Sequence, residues 1–243
     1  MALGVPWHEA GPQSAGNGAL MRIAPILIPH LRRQSSGLWT DTAINAMTTH
    51  YDPASISSCI GFIALLWDLL GMDDAPEPTW WLDRFLAVAR DLDTGRPYRT
   101  RGQFIPGYEG MFTEFVSATG RHSREYSLSA VDACNRTGSG AYLLETVPSV
   151  LAILERHAHD PEESIVRAVN ETRDNDTIGR LSAPLSVPYT EQAHCHNGGR
   201  LASWAARGTT TTGGCSPCST RRGQRLDRRW CLKAVDRPEG SAP

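Results

Sequence analysis

The chain has 243 residues, 40% of them apolar and 21% charged, with a formal net charge of −2, which fits one large globular domain or one domain with a tail. No apolar run approaches the roughly 20 residues needed to cross a bilayer, and the first residues lack the basic-then-apolar pattern of an export signal, so the expectation is a cytoplasmic protein with no membrane partner. The near-neutral total conceals two halves, residues 1–179 at a net −8 and residues 180–243 at a net +6.

From Pro53 to Leu70, the residues Ile56, Cys59, Ile60, Ile63, Trp67 and Leu70 recur at three- and four-residue spacing, which predicts a helix with one apolar face and Pro53 in its first turn. Trp81, Leu82, Phe85, Leu86, Ala89 and Leu92 predict a second helix, and Met111, Phe112, Phe115 and Val116 a shorter one. Leu143, Val147, Val150, Leu151 and Leu154 place a helix over Tyr142 to His157, which Pro148 should kink or divide. Asp160-Pro161-Glu162-Glu163 offers an N-cap, a proline at N1 and an acidic first turn for a helix through Ile165, Val166 and Val169. No period-2 alternation competes with these stripes, so residues 1–179 read as an all-α domain. Cys59 and Cys134 stand apart in it and read as reduced thiols.

After Gly179 the pattern stops. Residues 180–243 contain no Ile, Phe or Met, and Pro184 and Pro188 argue against a helix there. This stretch reads as a disordered basic tail. His194, His196, Cys215 and Cys218 are ligand-type residues, but a single Cys-x-x-Cys beside His-x-His does not match common zinc spacings. Arg221, Arg222, Arg225, Arg228 and Arg229 form a basic run. Arg outnumbers Lys by 23 to 1 across the chain, a bias that GC-rich coding DNA produces without any demand for nucleic-acid binding. Zinc and nucleic acid are both set aside as partners.

The site-like residues lie in four places. Asp174-Asn175-Asp176-Thr177 puts two carboxylates and a hydroxyl on one turn, hard oxygens of the kind that Mg²⁺ and Ca²⁺ take, although an acidic helix cap would look the same. Ahead of it stand Gly16-Asn17-Gly18-Ala19-Leu20-Met21-Arg22, Thr49-His50-Tyr51-Asp52-Pro53 at a helix start, and Gly138-Ser139-Gly140 leading into Glu145-Thr146-Val147-Pro148.

In that order, over about residues 14–179, these motifs resemble the ADP-ribosylglycohydrolase family. The resemblance implies an all-α orthogonal multi-helix bundle holding a pair of Mg²⁺ ions, with ADP-ribose or an ADP-ribosylated protein as ligand. The reaction it implies is hydrolysis of the glycosidic bond between ADP-ribose and a side chain or similar group. It further implies Asp174, Asp176 and Thr177 as metal ligands. Gly16, Asn17, Gly18, His50, Gly138, Ser139 and Gly140 follow as ligand-binding positions. Arg22 suits either a phosphate or a structural salt bridge. Family members usually carry a further Thr-Asp-Asp cluster and an acidic catalytic or positioning group. No Thr-Asp-Asp occurs in these residues, Asp73-Asp74 falls at the wrong place in the order, and the catalytic residue stays unassigned. The bundle and its metal site are therefore expected to be incomplete. A non-catalytic ADP-ribose binding module and an inactive product of a degraded gene are the alternatives. From Arg180 the family's small-residue helix is replaced by Arg-Leu-Ser-Ala-Pro, and regrouping the codons by one frame can restore Val-Gly-Ala-Ala, which suggests a frameshift near codon 180.

Overall fold

The computed structural model describes residues 10–31, 35–72, 74–101 and 105–186, all within one compact unit, Met1–Arg200. The tail from 187 onward, with its candidate zinc and arginine residues, lies outside the described residues, as does Asp73. The fold is all-α. Two short 3₁₀ helices, Leu20–Arg22 and Ala24–His30, lead into α1 (Gly37–Met47), α2 (Pro53–Leu69) and α3 (Pro78–Ala89). After these come α4 (Phe112–Glu125), α5 (Ala130–Thr137), α6 (Leu143–His157), α7 (Pro161–Asn170) and α8 (Asn175–Ser186).

The periodicity of α2, α3 and α6 predicts their positions closely. Asp52 caps α2, its side chain accepting from Ala54 N, with Pro53 at N1. Asp160 does the same for α7 by accepting from Glu163 N. Unlike the single apolar face predicted for α2, burial runs round nearly its whole circumference and takes in Ser55, Ser57 and Ser58. The reason is its position, flanked by α1, α3, α6 and α8. Gly61 lets α3 approach closely, because a Cβ there would stand 2.7 Å from Phe85 Cε2.

The centre of the bundle is α6, which meets α2, α3, α4, α5, α7 and α8 and buries residues on every face. Pro148 lies inside it, yet the helix runs unbroken from Leu143 to His157. A proline in the second turn forfeits one hydrogen bond, while the packing of Val147, Val150, Leu151 and Leu154 on all sides holds the rest of the helix in place.

Two readings of the sequence are corrected. Met111, read together with the helix of Phe112, Phe115 and Val116, ends a hairpin that the sequence did not suggest: β1 (Pro97–Arg99) and β2 (Glu109–Met111) are antiparallel with Tyr98 opposite Gly110, too short to show alternation. The break after Gly179 is also wrong, since α8 continues to Ser186 with Pro184 inside it. Ile178, Leu181, Ser182 and Leu185 fall at helical spacing and are all buried, against α7 and α6. The apolar burial outweighs the one hydrogen bond that Pro184 denies to Arg180 O.

Cys59 and Cys134 are free and buried, and burial pushes both thiols up to about 12, which makes them packing residues rather than nucleophiles. Among the described residues no helix is long and apolar enough to cross a membrane.

Candidate functional site

Asn17 is the residue on which the separate motifs converge. The segment before the first 3₁₀ helix runs alongside the start of α6: Gly16 forms a bridge with Tyr142, Asn17 N donates to Ala141 O at 3.1 Å, and Leu143 N donates to Ala15 O at 2.9 Å. This pairing turns the Asn17 side chain inward, where it is 5% exposed. Its Nδ2 donates to Thr146 Oγ1 at 2.8 Å and to Asp174 Oδ2 at 2.5 Å. One amide thus joins the glycine turn, the central helix and the acidic turn.

The loop between α5 and α6 is the second hub. Gly138 ends α5 at φ 99° and Ser139 follows at φ 42°, a left-handed pair that only glycine adopts without strain at the first position. The reversal aims Ser139 O at Asp174 N, 2.9 Å away, and Ser139 Oγ at Arg173 N, 3.2 Å away. Gly140 O accepts from Thr146 Oγ1 at 2.7 Å, and Gly140 N–H donates to the Glu145 carboxylate. A Cβ on Gly140 would run into Glu145 Oε2. Burial raises Glu145 above the usual carboxylate range, opposed by Arg101, by the Gly140 N–H and by Arg173.

Asp174 stands immediately before α8, its O accepting from Ile178 N at 3.0 Å, and Asp176 and Thr177 lie in the first turn of that helix. Thr177 is buried and Asp176 exposed. The Asp176 carboxyl is held below its ordinary range, first by a hydrogen bond with the Asp174 side chain and then by the Thr177 N–H. Asp174 and Asp176 thus set two carboxylates side by side at this turn. Among the described residues they are not joined by a third His, Cys, Asp or Glu.

His50 follows α1, its N donating to Ala46 O at 2.9 Å, and its Nδ1 is 3.0 Å from Thr49 Oγ1. The ring lies against the glycine turn: a Cβ at Gly18 would come 2.8 Å from His50 Cε1, and one at Gly16 3.3 Å from Nε2. The two glycines therefore make room for an imidazole, a reason the sequence alone did not supply. Burial, then the Arg22 charge, lowers the His50 pKa, with Asp52 opposing, so the ring is neutral at pH 7. Gly18→Val should push the ring off the turn. The expected result is a His50 pKa closer to 6.5, followed through its Cε1 proton by NMR; an unchanged titration would disprove the packing.

Arg22, weighed for a phosphate or a salt bridge, pairs with no carboxylate among the described residues. It donates to Asn45 Oδ1, to Asn45 O at 2.8 Å and to Thr49 Oγ1 at 2.6 Å, which satisfies orphan groups at the end of α1.

All the sequence-predicted positions are brought together, at Asn17, Ser139 and His50. Four more residues join them: Thr146 and Glu145, which stood beside a motif; Tyr142, which pairs with Gly16; and Asp52. Asp52 is 1% exposed, and its Oδ1 accepts from Ala54 N at 2.9 Å and Tyr98 Oη at 2.8 Å. Its Oδ2 faces Arg96 as an ion pair at 3.0 Å without an aligned N–H. The Asp-Pro pair was a visible capping signal, whereas nothing in the sequence linked it to Tyr98.

A family model described as ADP-ribosylglycohydrolase matches residues 1–183. The chain is also similar to the uncharacterized protein YegU of Escherichia coli (strain K12), at 24% identity over 184 residues. That match takes in 75% of this chain and 52% of YegU, so the chain spans about half the length of the curated relative.

Proposed function

The chain belongs to the ADP-ribosylglycohydrolase family, and from that premise we propose that it seats ADP-ribose at the Gly16–Gly18 turn beside His50 and, with Mg²⁺, hydrolyses the glycosidic bond linking it to a protein side chain or similar group. The observation that carries this reading is the pair of Asn17 hydrogen bonds to Thr146 and Asp174, because they make the ligand turn and the acidic turn a single rigid unit.

The donor set fits Mg²⁺. Asp174, Asp176 and Thr177 would hold it, and this ion ordinarily takes only one or two carboxylates and fills its remaining positions with water and substrate oxygens. When bound it would supply positive charge near the anomeric carbon and a polarised water. The chain's own residues do the rest. Asn17 fixes one Asp174 oxygen, Ser139 O holds the Asp174 backbone, and neutral His50 offers a ring nitrogen to a ribose or phosphate oxygen. The Gly138–Gly140 loop closes the other flank.

One observation favours a second reading, a binding module without turnover: two carboxylates are the whole acidic set at this turn among the described residues. Calorimetry and turnover separate the two. With Mg²⁺ present, the chain should bind ADP-ribose and release it from an ADP-ribosylated protein, and both should be lost in Asp174→Ala and Asp176→Ala. Binding that survives chelation with no release would establish the module. No binding in any condition sinks both readings.

A further inference from the structure

Two arginines near the site are spent, Arg22 on Asn45 and Thr49 and Arg96 on Asp52. Arg101 is different. It follows β1, and its guanidinium lies over the Tyr142 ring, 4.6 Å from the centroid. Among the described residues no carboxylate pairs with it and no acceptor takes its N–H groups. Tyr142 is the residue whose backbone bridges Gly16, so the stack is built on the residue paired with the glycine turn. The support beneath Arg101 is firm, with Tyr98 bonded to Asp52, Arg99 paired with Glu109 and Thr100 Oγ1 donating to Ile105 O at 3.2 Å. Arg101 also acts on Glu145 from that side, as Arg173 does more weakly, so this flank of the site is cationic around a single half-buried carboxyl.

We propose that Arg101, stacked on Tyr142, is an anion-reading residue that takes a phosphate of a diphosphate-bearing ligand seated at the Gly16–Gly18 turn. This rests on the reading of that turn as the ADP-ribose seat. Stacking fixes the plane of the guanidinium, so its edge N–H groups are aimed before the ligand arrives and two can engage one phosphate side by side. A lysine there would keep the charge but lose both the stack and the fork.

The test is calorimetry on the full chain with ADP-ribose, inorganic pyrophosphate and adenosine, comparing wild type, Arg101→Gln and Arg101→Lys. Arg101 is exposed, so both variants should unfold at the wild-type temperature. The expected result is ADP-ribose and pyrophosphate binding weakened tenfold or more in Arg101→Gln, nearly as much in Arg101→Lys, and adenosine binding unchanged. Equal ADP-ribose binding by wild type and Arg101→Gln overturns the proposal and leaves the seat standing. Arg101-dependent pyrophosphate binding without ADP-ribose binding supports the anion site and overturns the seat. Binding of neither probe by the wild type overturns both.

Discussion

Asn17→Ala is expected to destabilise the fold by about 3 kcal/mol and to weaken any ligand held at the glycine turn by at least about tenfold. The amide donates one hydrogen bond to a neutral hydroxyl and one to a carboxylate, and hydrogen bonds to charged groups contribute about 1.5–3 kcal/mol against about 1 for neutral pairs. Thr146 would keep its own donation to Gly140 O, so the loss falls mainly on Asp174, which would stand beside Asp176 with one less partner. Asn17→Asp should be worse than the truncation, because it sets a further negative charge where the amide now donates to Asp174. Urea unfolding measures the first effect and calorimetry with ADP-ribose and Mg²⁺ the second. A loss below about 1 kcal/mol, with Asn17→Asp no worse than Asn17→Ala, would show that Asn17 does not tie the motifs together.

The second large effect lies at Asp52. This carboxylate begins α2 and ties the β1–β2 hairpin to it through the phenol of Tyr98. Burial and the Asp52 carboxylate push that phenol up above its ordinary range, so it remains a donor throughout the working pH range. Asp52→Ala removes the cap, worth about 1 kcal/mol, and leaves the buried Tyr98 hydroxyl without its acceptor, costing about 1–3 kcal/mol more. The Arg96 pair adds less, because that side chain is 37% exposed and can turn to water. A total of about 3 kcal/mol is expected, measured by urea unfolding. Asp52→Asn keeps an acceptor for both Ala54 and Tyr98 and should recover most of it. Equal losses in the two variants would mean that the negative charge, not the geometry, is what matters.

How far the sequence carried the reading can be seen residue by residue. The strong stripes of α2, α3 and α6 announced themselves because burial and helical period coincide there. The motif residues were also visible, since glycine pairs and an Asp-x-Asp turn are rare enough to mark loops with a task. The contacts between them were not. Asn17 and Asp174 are 157 positions apart, and no local rule pairs them. Gly16 and Gly18 looked like space for a ligand, whereas the nearest occupant of that space is His50. The hairpin was missed because three-residue strands leave no period to read. Helix α8 was cut short in the reading because proline was weighed by its local cost, while Leu181 and Leu185 repay that cost only through α6 and α7.

The 157-residue span of the Asn17–Asp174 hydrogen bond also bears on the order of events during synthesis. Asn17 leaves the ribosome long before its partner exists, and α2, α3 and α6 can pack from mostly nearer contacts in the interval. The Gly16–Gly18 turn must wait, with the Asn17 amide hydrated, until Asp174 has been made and has docked. Closing so long a loop costs chain entropy that nearby contacts do not. Among the described residues this junction is therefore completed late, and a chain whose translation stops before Asp174 would lack the contact that joins its motifs.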